Sequence, residues 1–122
     1  MAKILVVDDS PTVRSLERFI LKSAGFDIEV ACNGIEALEK IYEGKYELIV
    51  TDVNMPKMDG LRLVKTLREQ EAYKTIPIII MTTESEEDDR MKGIEAGANM
   101  YLVKPTNPEL LVTNVKMLLG SV

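Results

Sequence analysis

The stretch LIVTDVNMPKMDG, residues 48–60, carries the decisive pattern. Leu48, Ile49 and Val50 form a continuous apolar run, the pattern of a strand buried on both faces. The run ends on a lone carboxylate, Asp52, and Asn54, Met55 and Pro56 then break it. Asp59 follows as a helix cap, ahead of Leu61, Val64 and Leu67 at helical spacing. Strand, turn and amphipathic helix thus succeed one another. An acid at the tip of a buried strand is costly unless something pairs with it. The partner has to come from elsewhere in the chain.

Working outward, the same alternation recurs. The apolar runs are KILVVD (3–8), DIEVA (27–31), YELIVTD (46–52), IPIIIMT (76–82) and NMYLV (99–103). Amphipathic stretches lie between them. Val13, Leu16, Ile20 and Ala24 share one face of a helix over 11–24, with Ser10 as cap, Pro11 at the first position and Gly25 at the stop. Asn33 and Glu36 read as a capping box before Ile35, Leu38 and Ile41. The acidic run ESEEDD (84–89) reads as the first turn of a fourth helix, which Gly97 ends. Asn107 and Pro108 open a fifth helix with Leu111, Val115 and Leu118. Five strand–helix pairs predict an α/β fold: a five-stranded parallel sheet, order 2-1-3-4-5, with helices on both faces in a flavodoxin-like layout. One domain over 1–122, with no output domain attached, is expected.

Composition narrows the function. The chain has 122 residues, 46% hydrophobic and 29% charged, which suits a globular domain with a full core. No apolar run has the length of a membrane span, and the N-terminus lacks a secretory leader, so a cytoplasmic monomer is expected. The net charge of −5 argues against nucleic-acid binding, which needs clustered Lys and Arg. No histidine is present, so His metal sites, triads and His bases are excluded from this chain. The single cysteine, Cys32, cannot form an internal disulfide and reads as a small, partly buried apolar residue.

The chemistry gathers at the strand tips. The first strand ends in Asp8 and Asp9, the third in Asp52, and the fourth in Thr82 and Thr83; Lys104 and Pro105 follow the fifth. Open α/β sheets bind ligands beyond the carboxyl ends of their strands, where strand order reverses. In the order 2-1-3-4-5 that point lies between strands one and three, which hold the three aspartates. Two carboxylates about 4 Å apart repel by on the order of 4 kcal/mol at an effective dielectric near 20. Lys104 or a hard cation would relieve this. Oxygen ligands without His or Cys suit Mg²⁺, with Mn²⁺ as an alternative, and phosphate chemistry goes with it. Asp52 is then the candidate nucleophile, with Lys104 and the Thr82 hydroxyl neutralising the phosphoryl oxygens.

The motifs VVDDS, TDVNMPKMDG, IIIMTTE and YLVKP together resemble those of response-regulator receiver domains, most of all the stand-alone chemotaxis regulators of the CheY type. The resemblance covers essentially the whole chain. It implies that Asp52 accepts phosphate from a kinase histidine. It implies metal ligation by Asp9, Asp52 and the Asn54 backbone carbonyl, with Asp8 holding coordinated water. It makes Lys104 the phosphoryl contact, after which a cis Lys104–Pro105 peptide is expected. Thr82 and Tyr101 match a switch pair, and Asn54 and Glu84 flank the site and set dephosphorylation. It further implies a histidine kinase, an output partner such as a flagellar switch component, and a phosphatase. Its output surface would be the fourth helix, fifth strand and fifth helix. Two positions depart from the pattern: Thr83 stands where Ala or Gly is usual, and Thr106 where Phe is frequent.

Other readings compete. A small Mg²⁺-dependent phosphatase would carry its nucleophile in an Asp-x-Asp on the first strand and a cap domain, and neither is seen. A flavin binder needs a hydroxyl- and glycine-rich loop after the first strand, where DDSPT places acids. Within the favoured reading, a chemotaxis regulator, a phosphate shuttle or sink, and an isolated receiver of a longer regulator all stay open. None is an enzyme beyond its own phosphotransfer and autodephosphorylation.

Overall fold

The computed structural model describes residues 2–120. The elements are β1 (Lys3–Val7), α1 (Pro11–Ser23), β2 (Asp27–Ala31), α2 (Gly34–Glu43), β3 (Leu48–Thr51), α3 (Gly60–Arg68), a 3-10 turn (Glu71–Tyr73), β4 (Ile78–Thr82), α4 (Glu87–Ala96), β5 (Met100–Val103) and α5 (Pro108–Leu119). All strands pair in parallel, in the order β2-β1-β3-β4-β5. This is the expected flavodoxin-like sheet. Among the described residues, no helix is long and apolar enough to cross a membrane.

The period-two pleat explains the continuous apolar runs. Leu5, Val7, Ile49, Ile78 and Ile80 point to one face, where Ala37, Ile41, Leu63, Val64 and Leu67 of α2 and α3 meet them. Ile4, Val6, Leu48, Val50, Ile79 and Met81 point to the other, against Leu21 of α1 and Leu111 and Val115 of α5. Each such side chain contributes about 1.5–3 kcal/mol on burial, so β1, β3 and β4 form the rigid centre of the molecule. Their C-terminal tips inherit that rigidity.

Four helix starts carry the caps that the sequence suggests. Val13 N–H donates to Ser10 Oγ (3.3 Å), Glu36 N–H to Asn33 Oδ1 (2.9 Å), Arg62 N–H to Asp59 Oδ1 (2.8 Å) and Glu109 N–H to Asn107 Oδ1 (2.7 Å). The α2 box closes differently from expectation. Glu36 accepts from the Cys32 N–H (2.9 Å), one residue before the cap. Lys104–Pro105 is cis, as the family resemblance implies.

Two expectations are corrected. The helix after β4 starts at Glu87, so Glu84 and Ser85 lie outside it. Glu84 is tied instead: its N–H donates to Thr82 Oγ1 (3.4 Å), its carbonyl accepts from the Tyr101 hydroxyl (2.9 Å), and its carboxylate accepts from Asn54 Nδ2 (2.7 Å). Those bonds hold the segment out of helical geometry. On α1 the buried face is also shifted. Leu16 is 58% exposed, whereas Glu17 and Leu21 are buried.

Candidate functional site

β1 and β3 are neighbours, so their tips bring Asp8 and Asp52 side by side. Asp8 is fixed from four directions. Its N–H donates to the Ala31 carbonyl (3.1 Å), and its Oδ1 accepts from Ser10 N–H (2.9 Å). Its carbonyl accepts from Arg14 Nη1 (2.7 Å), and its Oδ2 from Lys104 Nζ (2.5 Å). Asp52 continues the ladder by donating its N–H to the Val7 carbonyl (2.9 Å). Its Oδ1 accepts from Val53 N–H (2.7 Å), which sets the plane of the carboxylate, and its Oδ2 accepts from Lys104 Nζ (3.3 Å).

Lys104 closes the site from β5. Its N–H donates to the Thr82 carbonyl (2.7 Å), so the lysine starts at the tip of β4 and reaches across to β1 and β3. The Lys104 side chain is 12% exposed, against 2% for Asp8 and 13% for Asp52. Burial lowers the Lys104 pKa. The Asp8 hydrogen bond and the charges of Asp52, Asp8 and Glu17 outweigh that and leave it raised. The ammonium therefore stays charged through the physiological range.

Asp8, Asp9 and Asp52 each offer an oxygen, and these atoms lie within 4.8 Å of one another. Three carboxylates against one ammonium leave the crevice with excess negative charge. The donors are all hard oxygens, and the chain holds no histidine. This set fits a small hard divalent cation such as Mg²⁺.

The loop after β3 shows why Asn-Met-Pro follows Asp52. Gly60 N–H donates to the Val53 carbonyl (2.8 Å), and a Cβ on Gly60 would collide with the Asp52 carbonyl. Glycine there lets α3 begin directly beneath the β3 tip. Lys57 adopts a positive φ of 67°, and Met58 packs on the N-terminus of α2, where Gly34 N–H meets its carbonyl (3.0 Å). The turn thus folds back and leaves Asp52 facing the crevice.

The other predicted residues ring this centre. Thr82 is buried at the β4 tip, and Thr83 beside it is exposed. Tyr101 is buried, with its ring against Gly93 and its hydroxyl on the Glu84 carbonyl. Burial, helped by Glu84, Asp89 and Asp52, pushes its phenol up to about 12, so it remains a donor. A Cβ on Gly93 would stand 2.8 Å from Tyr101 Cδ2, so α4 seats on the ring only because this residue is glycine. Asn54 is exposed and reaches Glu84. Pro105 is exposed beside Lys104, and Thr106 is half-buried.

Sequence reasoning missed three contributors: Arg14, which holds the Asp8 carbonyl, Gly93 under Tyr101, and Glu17, buried on α1. Arg14 and Gly93 act through close approaches that no local pattern announces. Glu17 left one signal, an acid one residue from the apolar stripe of α1.

The response regulator receiver domain family matches residues 4–116. The transcriptional regulatory protein SrrA of Staphylococcus aureus is 42% identical over 117 residues, which is 96% of this chain and 47% of SrrA. The chain therefore spans about half the length of the curated relatives it matches. The chemotaxis protein CheY4 of Vibrio cholerae superposes with a TM-score of 0.91 at 42% identity, over 97% of this chain and 98% of CheY4. The receiver domain of a signal transduction histidine kinase from Syntrophus aciditrophicus gives a TM-score of 0.93 at 37% identity, over 100% of this chain and 92% of that one. The chain belongs to the response-regulator receiver domains, the signalling switches of two-component systems.

Proposed function

We propose that this chain accepts a phosphoryl group on Asp52 from a partner histidine kinase and uses it to switch the binding of an output protein. Receiver domains generally bind Mg²⁺ at an acidic pocket, and membership implies a kinase phosphodonor and output partners. The observation that supports Asp52 most is the Lys104 ammonium bridging Asp8 and Asp52 beside three clustered carboxylates.

Asp8, Asp9, Asp52 and the Asn54 backbone carbonyl would hold Mg²⁺, or Mn²⁺ in its place, and the bound cation would neutralise charge on the phosphoryl oxygens. An Asp52 oxygen attacks phosphorus as the bond from phosphorus to the donor imidazole nitrogen breaks, and its electron pair returns to the ring. Lys104 leaves its contact with Asp52 for a phosphoryl oxygen. The Thr82 hydroxyl donates to a second, and Tyr101 holds the β4–α4 loop through Glu84. Asn54, Thr83 and Glu84 line the approach of the water that later hydrolyses the acyl phosphate, and Pro105 fixes the turn after Lys104.

The output surface in this reading is α4, β5 and α5, where Met91, Ile94, Val103 and Leu110 are exposed. The likeness to CheY4 supports a chemotaxis role, with a flagellar switch component as partner and a phosphatase to reset it. A second reading, the receiver of a longer regulator, is supported by the 47% coverage of SrrA. In both readings the chain works in the cytoplasm as a monomer.

Incubation with acetyl phosphate and Mg²⁺ should add one phosphoryl mass, labile to hydroxylamine, and Asp52→Asn should add none. Stoichiometric labelling of Asp52→Asn would refute the assignment. A pull-down with and without beryllofluoride then separates the two outputs: a motor component retained only with beryllofluoride supports chemotaxis.

A further inference from the structure

The two ends of α4 are held in different ways. Its C-terminal end sits against Arg68, the last residue of α3. Arg68 Nε donates to the Gly97 carbonyl (2.9 Å), Nη1 to the Tyr73 carbonyl (2.7 Å) and Nη2 to Asn99 Oδ1 (2.9 Å). The same Asn99 oxygen accepts from Ile78 N–H (2.9 Å). One planar fork thus ties the end of α4, the 3-10 turn and the starts of β4 and β5 together. Gly97 has a φ of 117°, and a Cβ there would stand 2.6 Å from Arg68 Cγ, so glycine lets the arginine stem lie close against the helix end. Among the described residues Arg68 has no acidic partner. Its charge meets carbonyl oxygens near helix C-termini, where the dipoles favour a cation.

The N-terminal end of α4 has no such anchor. The Glu86 cap makes no side-chain hydrogen bond, and within the helix only Gly93, in its C-terminal half, is buried. Glu87, Asp88, Arg90 and Met91 are exposed. What holds this end is the preceding loop, through Glu84, whose bonds run to Asn54, Thr82 and Tyr101. Those three residues ring the crevice, and Thr82 carries the hydroxyl that a phosphoryl group would recruit. Arg68 and its acceptors lie at the opposite end of the sheet, where β4 and β5 begin, and touch no group of the crevice.

We propose that Arg68 makes the C-terminal end of α4 a fixed pivot, so that phosphorylation swings the helix from its N-terminal end alone. This rests on the phosphoacceptor reading above. When the Thr82 hydroxyl turns to a phosphoryl oxygen, the Glu84 N–H loses its acceptor and the loop shifts. The helix follows as a rigid lever. Its 10 residues span about 15 Å, so a swing of about 15° carries the first turn about 4 Å and Glu95, next to the pivot, less than about 1 Å. The exposed face of α4 is thereby divided. Met91 lies on the moving half, whereas Ile94 lies near the pivot, on the side of the fixed Val103 of β5. An output partner senses phosphorylation through Glu87–Met91 and finds Ile94 and Val103 in place in either state.

The test measures how far each end of α4 moves. In a Cys32→Ser background, one spin label is placed at exposed Asp88 or Glu95. The other is placed at exposed Lys22 on α1 or Glu39 on α2, so that a swing in either direction is seen. Distances are read by double electron–electron resonance with Mg²⁺, before and after beryllofluoride. Asp88 should move by about 3–4 Å and Glu95 by less than about 1 Å. Arg68→Met keeps the apolar stem and removes the fork, and Glu95 should then move by about 2 Å or more. Equal movement of Asp88 and Glu95 in the wild type, or a Glu95 that stays in place in Arg68→Met, would overturn the proposal. Should Arg68→Met fail to fold, Asn99→Ala removes one arm of the fork; a Glu95 that moves further than in the wild type upholds the pivot, and one that does not removes it. A wild type that gains no phosphoryl mass from acetyl phosphate and shows no movement defeats the phosphoacceptor reading and this one together. A phosphorylated wild type whose α4 ends move alike, or not at all, defeats this one alone.

Discussion

The two edges of the sheet each hold a lysine against acids, and they differ in almost everything else. At the N-terminal edge Lys3 meets Glu29 (2.8 Å), Tyr46 donates its hydroxyl to the same carboxylate (2.8 Å), and the Lys3 ammonium stands 5.0 Å from the Tyr46 ring centroid. The paired charges balance, and the side chains are 31% and 42% exposed. At the C-terminal edge one largely buried lysine faces three clustered aspartates. A balanced, solvated pair has no reason to bind anything further. A buried, unbalanced cluster stores repulsion that a cation or a phosphoryl-transfer step can relieve. Lysine beside acid is therefore a poor marker of function; imbalance under burial is the informative feature.

The sharpest way to break this contrast is to remove each lysine in turn. Lys104→Met should lower the rate of phosphorylation by acetyl phosphate by about 100-fold, since a positioned cation at a transferring phosphoryl group is worth several kcal/mol. Lys3→Met should leave that rate unchanged. Equal losses in the two variants, measured by intact mass over time, would erase the distinction between the edges.

A smaller effect separates the edges by the sign of their pH dependence. The folded-state pKa of Glu17 lies above the 4.5 of an ordinary glutamate, at about 8. The native protein then holds a proton that the unfolded chain has lost, so stability falls as pH rises from about 4.5 to about 8. Glu17→Leu removes this dependence. In Mg²⁺-free buffer its stability advantage over wild type should grow between about pH 5 and pH 9 by on the order of 4 kcal/mol, read from urea melts. A constant gap would mean that Glu17 titrates like a solvated acid.

The same residue shows where the sequence stops being readable. β1, β3 and β4 were legible because Ile4–Val7, Leu48–Val50 and Ile78–Met81 are buried on both faces, and short runs of that kind, rich in Val and Ile, suit little but a central strand. Sheet order and crevice then followed from rules of connection, and Asp8, Asp52 and Lys104 from their places at strand ends. On α1 the pattern failed by one position. Leu16 looked like core and is exposed, whereas Glu17 drew no reading and is buried, since hydrophobicity alone assigns the face and an acid is seldom buried. Glu17 Oε2 has no hydrogen-bond partner among the described residues, so no polar neighbour announces that the residue faces inward. The start of α4 failed likewise. ESEEDD looks like a first turn, but the bonds from Asn54 and Tyr101 to Glu84 are long-range and invisible to local pattern. Gly60 and Gly93 were legible as glycines, but the Asp52 carbonyl and Tyr101 ring that demand them were not.

The least effect is expected at Glu29, and it should run opposite to Glu17. The Lys3 hydrogen bond, then the Tyr46 hydroxyl, hold the Glu29 carboxyl below its ordinary value, while partial burial works against them. An acid with a lowered folded-state pKa lends its stability above the unfolded value of 4.5 and loses it as pH falls through the folded one. Glu29→Gln should therefore match wild type in strong acid and melt slightly lower at neutral pH. Solvent screening keeps that difference small, about 2 °C or less, and salt should shrink it further. A larger drop, or one that persists at high salt, would make the N-terminal edge a buried electrostatic centre after all. The asymmetry that singles out the crevice would then need another cause than burial and charge.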